Sequence, residues 1–175
     1  MQKVPFLSVI LFLLFSSFQV NAPKEKLQWL SLEEAEQKAK QEPRPILIDL
    51  YTDWCGWCKV MDKKTYSNQQ VISYLNRKFY VVKLNAETKQ DITWKGKVYH
   101  YNSGYKTHEL AIALTNGELA YPSTVIVPVH ESAPQAISGM LEVKEMELIT
   151  KYFGDDQYGK VSFDDYAKKF RPSWR

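Results

Sequence analysis

Cysteine is nearly absent from this chain, at two of 175 residues. So few exclude a multiply cross-linked secreted scaffold. Histidine is scarce too: His100, His108 and His130 are the three. A closed zinc site takes four ligands, and none of these histidines stands at ligand spacing from the cysteines. A copper- or zinc-handling role stays only as an alternative. Neither sign of charge dominates, since 23 basic and 20 acidic residues leave +3. With no basic block or stripe, nucleic acid is not an expected partner. No apolar run reaches the ~20 residues that span a bilayer. Internal repeats, low-complexity tracts and domain linkers are missing as well. The remaining composition is globular, 45% hydrophobic, 14% aromatic and 25% charged, enough for one domain with a core.

The first 22 residues stand apart. Lys3 gives a minimal positive start, Val4 to Phe15 is apolar, and Val20-Asn21-Ala22 fits a small-residue cleavage site. This pattern predicts a secretory leader cut near Ala22, with the mature domain covering residues 23–175. An uncleaved anchor is the alternative, and the apolar run is short for it. No cysteine follows the run, so a lipid anchor is not supported. The product is expected in the periplasm or otherwise exported.

The two cysteines lie in Trp54-Cys55-Gly56-Trp57-Cys58-Lys59. The run before them, Ile46-Leu47-Ile48-Asp49-Leu50-Tyr51, reads as a buried strand, and Cys58 to Lys64 reads as the first turns of a helix. A thiol at a helix start meets unsatisfied backbone N–H groups and the positive end of the macrodipole, and both favour the thiolate. Cys58, one turn on, can close a disulfide with Cys55. So short a loop stabilises by only roughly 2 kcal/mol through chain entropy. The pair therefore suits a bond that is made and broken.

The rest reads as one α/β unit. Ser31 and Glu34 form a capping box for a helix running to about Gln41, before Pro43. Residues 44–52 and 79–85 are strands, with a second capping box, Ser67 with Gln70, opening a helix between them. Strand, helix and strand without hairpin signals imply a right-handed crossover and parallel pairing. Ile92 to Tyr101 alternates about Lys95-Gly96 as a small hairpin. Glu109 to Leu114 is a short helix ending near Asn116-Gly117. Residues 123–129 and Gln135 to Ser138 read as antiparallel strands. Two helices follow, Val143 to Phe153 and Phe163 to Phe170, the latter opened by Ser162 and Asp165.

In this order the segments carry Asp49 through Lys59, Val82-Lys83-Leu84-Asn85, Tyr121-Pro122-Ser123-Thr124 and Gly139. Together they resemble the thioredoxin superfamily, in particular its exported bacterial disulfide-exchange branch, over roughly residues 30–153. The resemblance implies a three-layer α/β sandwich, a central mixed sheet with helices on both faces. Two departures stand out. Trp57 occupies the place where thioredoxin has proline, and about residues 88–107 form an aromatic-rich insertion.

The resemblance also implies roles. Cys55 is the accessible nucleophile and Cys58 the shielded resolving thiol. Asp49 is a buried acid that takes the Cys58 proton, with Lys83 facing it; otherwise both are solvated residues. Trp54 packs flat beside the disulfide, or else belongs to the core. Gly56 and the more exposed Trp57 face substrate. Pro122 matches the family's cis-proline, and the backbone of Tyr121 pairs with substrate. The Tyr/Trp-rich stretch of the insertion, Trp94 to Tyr105, is an accessory lid, a docking surface or a surface hairpin with its own small apolar cluster.

The expected function is thiol–disulfide exchange outside the cytoplasm, with reduction favoured because the Asp49/Lys83 arrangement resembles reducing thioredoxins and no histidine lies between the cysteines. No organic cofactor or metal is expected beyond the redox-active pair. Exported proteins with disulfides are the expected substrates, a membrane thiol-transfer protein is the expected electron donor, and the chain is expected to be a monomer. A binding or chaperone module that has kept the fold is the alternative from another class.

Overall fold

The computed structural model describes residues 24–129 and 133–175. The expected leader and His130 lie outside the described residues. The chain runs β1 (Trp29–Leu30), α1 (Leu32–Gln41), β2 (Ile46–Tyr51), α2 (Gly56–Lys64), α3 (Gln69–Lys78) and β3 (Tyr80–Asn85). It continues β4 (Ile92–Trp94), β5 (Lys97–Tyr99), β6 (Tyr101–Asn102), β7 (Thr107–His108) and α4 (Glu109–Leu114). It ends β8 (Ser123–Val127), β9 (Gln135–Ser138), α5 (Val143–Gly154) and α6 (Phe163–Lys169).

The central sheet has the order β1-β3-β2-β8-β9. Pairings β1/β3 and β2/β3 are parallel, while β2/β8 and β8/β9 are antiparallel. The parallel pair needs a crossover, and α2 and α3 provide it. Alternation along β2 then sorts the core. Ile46, Ile48 and Leu50 join Leu32 and Ala35 of α1 and Leu110 and Leu114 of α4. Leu47 points to the other face and joins Met61 of α2, Leu75 of α3 and Met146 and Ile149 of α5. Asp49 lies two residues past Leu47, so the same alternation carries it to the α2 side.

Local signals account for most boundaries. Ser31 Oγ accepts from Glu34 N at 3.1 Å and Glu34 Oε2 accepts from Ser31 N at 2.8 Å, a full capping box. The second expected box is not formed. Asn68 caps α3 instead, accepting from Gln70 N and Val71 N, and Ser67 Oγ donates back to Lys63 O. A carboxamide oxygen is at least as good a cap as a hydroxyl, and Asn68 sits one residue nearer the helix. Lys95 and Gly96 both have positive φ, 50° and 77°, which suits the two-residue β4–β5 turn.

The region 86–108 holds two hairpins, β4/β5 and β6/β7; the second is too short to show a periodicity. Trp94 is not part of a surface cluster: it is 4% exposed and packs into the core beside α1. His108 is fully buried; its Nδ1 accepts from Leu110 N at 3.2 Å and its Nε2 faces Gln90 O at 3.1 Å. Burial pushes its pKa down. Nδ1 thus caps α4, while Nε2 ties the ring to the loop carbonyl of Gln90.

The C-terminal segment closes the α5 side. Glu147, fully buried on α5, accepts from Ser173 N at 2.8 Å, Trp174 N at 2.9 Å and Ser173 Oγ at 2.5 Å, and pairs with Lys151 Nζ at 2.6 Å. Burial raises its pKa, but the donors outweigh burial and hold it below the usual range. The stability it contributes is therefore present above the unfolded glutamate pKa and lost as pH falls through the folded value. Glu147→Ala leaves those donors without an acceptor and should destabilise the fold by roughly 3 kcal/mol in a urea melt near pH 7. A loss under ~0.5 kcal/mol would mean the segment does not depend on this acid.

Candidate active site

Strand β2 ends at Tyr51, and the chain turns through Thr52, whose carbonyl accepts from Cys55 N at 3.1 Å. This turn makes Cys55 the N-cap of α2. Cys55 and Cys58 are joined by a disulfide, and the Cys58 N–H donates to Cys55 Sγ at 3.1 Å. That donor belongs to the free N–H groups at the helix start and would hold a Cys55 thiolate in place. Both cysteines are 4% exposed. The expected contrast between an accessible Cys55 and a shielded Cys58 is absent in this disulfide form.

Below α2 lies a charged cluster. Asp49 is 2% exposed and pairs in register with Lys83 on β3; Lys83 Nζ donates to Asp49 Oδ2 at 2.9 Å. It is not a solvated strand residue. Burial pushes its carboxyl above the usual range, Lys83 opposes this, and Asp62 reinforces it. Lys83 also donates to Asp62 Oδ1, a residue that sequence reasoning missed. Asp62 follows Cys58 by four residues and so shares its helix face; that spacing was the available signal. Burial pushes the Lys83 ammonium down, the two carboxylates more than offset it, and its pKa lies above the usual value. Its charge also lies 5.0 Å from the Trp29 ring, 5.1 Å from Tyr51 and 5.9 Å from Tyr66, distances at which aromatic faces attract a cation. Thr124 stands opposite Asp49 in the β2/β8 register.

The surroundings of the disulfide are aromatic. Trp54 is 66% exposed and Trp57 64%. Trp54 is therefore not a core residue, and Trp57 is not the more exposed of the two. Trp54 meets Tyr121 edge-on, with centroids 5.9 Å apart at 83°, and its indole N–H donates to Glu87 Oε1 at 3.0 Å. The Tyr121–Pro122 peptide bond is cis, and the Pro122 carbonyl accepts from Gly139 N at 2.8 Å. Apart from its chain neighbours and its own helix backbone, nothing lies within 4 Å of where a side chain at Gly56 would begin, so this position beside Cys55 is open. Among the described residues no helix is long and apolar enough to cross a membrane.

A mixed five-stranded sheet between helical layers, with a dithiol pair at the first turn after the central strand, defines a thioredoxin-like protein. The chain belongs to the Thioredox_DsbH family, described as "Protein of unknown function, DUF255", whose model matches residues 11–168. The solved structure "DsbH Oxidoreductase" superposes with a TM-score of 0.57 at 17% identity, covering 79% of this chain and 93% of that one. At that identity the likeness speaks for the fold. "Uncharacterized protein B0495.5" of Caenorhabditis elegans is 35% identical over 60 residues, 34% of this chain and 8% of that protein. "Thiol:disulfide interchange protein DsbD" of Pectobacterium atrosepticum is 43% identical over 37 residues, 21% of this chain and 6% of that protein. This chain thus spans about 8% of the length of the first curated relatives it matches.

Proposed function

We propose that this protein is a thiol–disulfide oxidoreductase that reduces disulfides of exported proteins. The observation that carries the reading is the Cys55–Cys58 disulfide at the start of α2, with a helix N–H on the first sulfur. In the reduced protein the Cys55 thiolate attacks a substrate disulfide, and one substrate thiolate leaves. A mixed disulfide to Cys55 remains. Cys58 loses its proton to Asp49 and its thiolate attacks Cys55 Sγ, releasing the second substrate sulfur as a thiolate that then takes up a proton. Two electrons have passed to the substrate, and the enzyme stands as the disulfide described above. Lys83 holds Asp49 in place, and Asp62 shares that lysine.

Direction follows from potential against partners. Reduction is favoured because no histidine lies between the cysteines and because Asp49 with Lys83 forms a proton acceptor below them. A reductase working outside the cytoplasm needs electrons delivered from inside, which calls for a membrane thiol-transfer donor. Leader cleavage near Ala22 and action as a monomer belong to the same proposal. Trp54, Gly56, Trp57, Tyr121 and Pro122 serve substrate contact in this reading, with the Tyr121 backbone offering strand-like pairing; the exposure of Trp54 and Trp57 and the cis Tyr121–Pro122 bond support it.

The test joins two measurements. Insulin reduction by the dithiol form should occur and vanish in Cys55→Ser. Equilibration with glutathione should place the pair on the reducing side of the glutathione couple. An oxidising equilibrium constant would reverse the direction, and equal activity of Cys55→Ser would leave the fold-retaining binding module as the better account.

A further inference from the structure

The hairpin segment 86–108 touches the substrate side of the disulfide through one buried hydroxyl. Thr107 is 3% exposed. Its Oγ1 donates to Ala86 O at 2.9 Å and lies 3.3 Å from Tyr121 Oη. A threonine hydroxyl has one proton. With that proton on Ala86 O, Tyr121 must donate to Thr107. Ala86 O also accepts from His108 N at 2.7 Å, so both ends of the segment are pinned to one carbonyl. The next residue, Glu87, holds the Trp54 indole at 3.0 Å, and its own N–H is held by Asn85 Oδ1 at 2.9 Å. Trp54 returns to Tyr121 through their edge-on contact. The contacts close a ring: Trp54, Glu87, Ala86, Thr107, Tyr121 and Trp54 again.

We propose that Thr107 is a positioning residue that fixes Tyr121, and through it Trp54, as one wall of the groove for an extended polypeptide carrying a disulfide. The proposal rests on the oxidoreductase reading and adds what the 86–108 segment does in it. Trp54 precedes the first cysteine and Tyr121 precedes Pro122. A ring that holds both sets the width of the approach to Cys55 without touching the sulfurs. An aromatic side chain with one polar tip is oriented by that tip, and its conformational freedom is lost before substrate arrives. A large substrate that lies along the wall gains from this order. A small disulfide that meets only the sulfurs does not.

The experiment compares insulin with 5,5′-dithiobis(2-nitrobenzoic acid) as substrates of wild type, Thr107→Val and Thr107→Ser. Valine keeps the shape and removes the hydroxyl. For insulin, KM should rise roughly three- to tenfold with kcat within about twofold, the scale of one lost hydrogen bond. The rate on the small disulfide should stay within about twofold, and Thr107→Ser should restore the insulin KM. Should the valine variant fail to fold, Tyr121→Phe deletes the same bond and leaves Thr107 on Ala86; its insulin KM should rise likewise. An unchanged insulin KM, or equal losses on both substrates, overturns the proposal while leaving the oxidoreductase reading in place. No turnover of either disulfide by the wild type overturns both.

Discussion

Cys58→Ala should lose catalytic reduction and accumulate mixed disulfides through Cys55. Cys58, the resolving thiol of the proposed mechanism, is three residues from Cys55 and bonded to it in the disulfide form. Such an intramolecular thiol acts at a very high effective concentration, so its loss should cost on the order of 1,000-fold or more in turnover. The first attack needs only the Cys55 thiolate and its N–H donor, and both remain. Non-reducing gels of extracts should show high-mass adducts that disappear with dithiothreitol. Trapping by Cys55→Ala instead, with Cys58→Ala inactive and free of adducts, would exchange the two roles.

Asp49→Asn should slow resolution by roughly 10- to 100-fold and spare the attack, since the amide cannot take the Cys58 proton. Burial is the main reason that the Asp49 carboxyl titrates above its usual range, with Lys83 opposing and Asp62 adding. The sign for stability follows. An acid whose folded pKa is raised keeps its proton longer in the native state. Native stability therefore rises as pH falls through the folded value toward the unfolded one, and the charged form weakens the fold above it. The asparagine variant should be more stable at neutral pH, on the order of 1 kcal/mol, because Lys83 keeps Asp62 as a partner. It should also lose the increase of the resolution rate with pH through the Asp49 titration. Single-turnover kinetics with attack and resolution followed separately, plus a denaturant melt, decide this. Unchanged resolution together with lowered stability would make Asp49 a structural acid.

The elements that the sequence reveals are those with a local cause. The β2 run is apolar on both faces and bounded by turn residues. The caps of α1 and α6 are short side-chain patterns, and the β4–β5 turn has the residues its positive φ values need. The two cysteines at a helix start are legible for the same reason, whereas the parts given to Asp49, Lys83 and Pro122 came from the family resemblance and not from a local pattern. Elements that exist only through partners were not. Strand β1 is two residues long and is a strand because β3 lies beside it. The β6/β7 ladder is equally short and is held where Thr107 and His108 meet Ala86.

The sequence by itself determined the class of fold, the dithiol pair and the place of an acid in the central strand, because spacing and alternation are local and carry through unchanged. Only the tertiary structure decided what surrounds them. Burial set the Asp49 carboxyl above its usual range, and Lys83 brought in Asp62 from α2. The sheet and helices exposed Trp54 and Trp57 about equally, while Trp94, in a similar aromatic setting, went into the core. Glu147 found its donors in the C-terminal segment, and Thr107 found Tyr121. Each of these depends on which groups distant in the chain are brought within a few ångströms, and no local pattern encodes that distance.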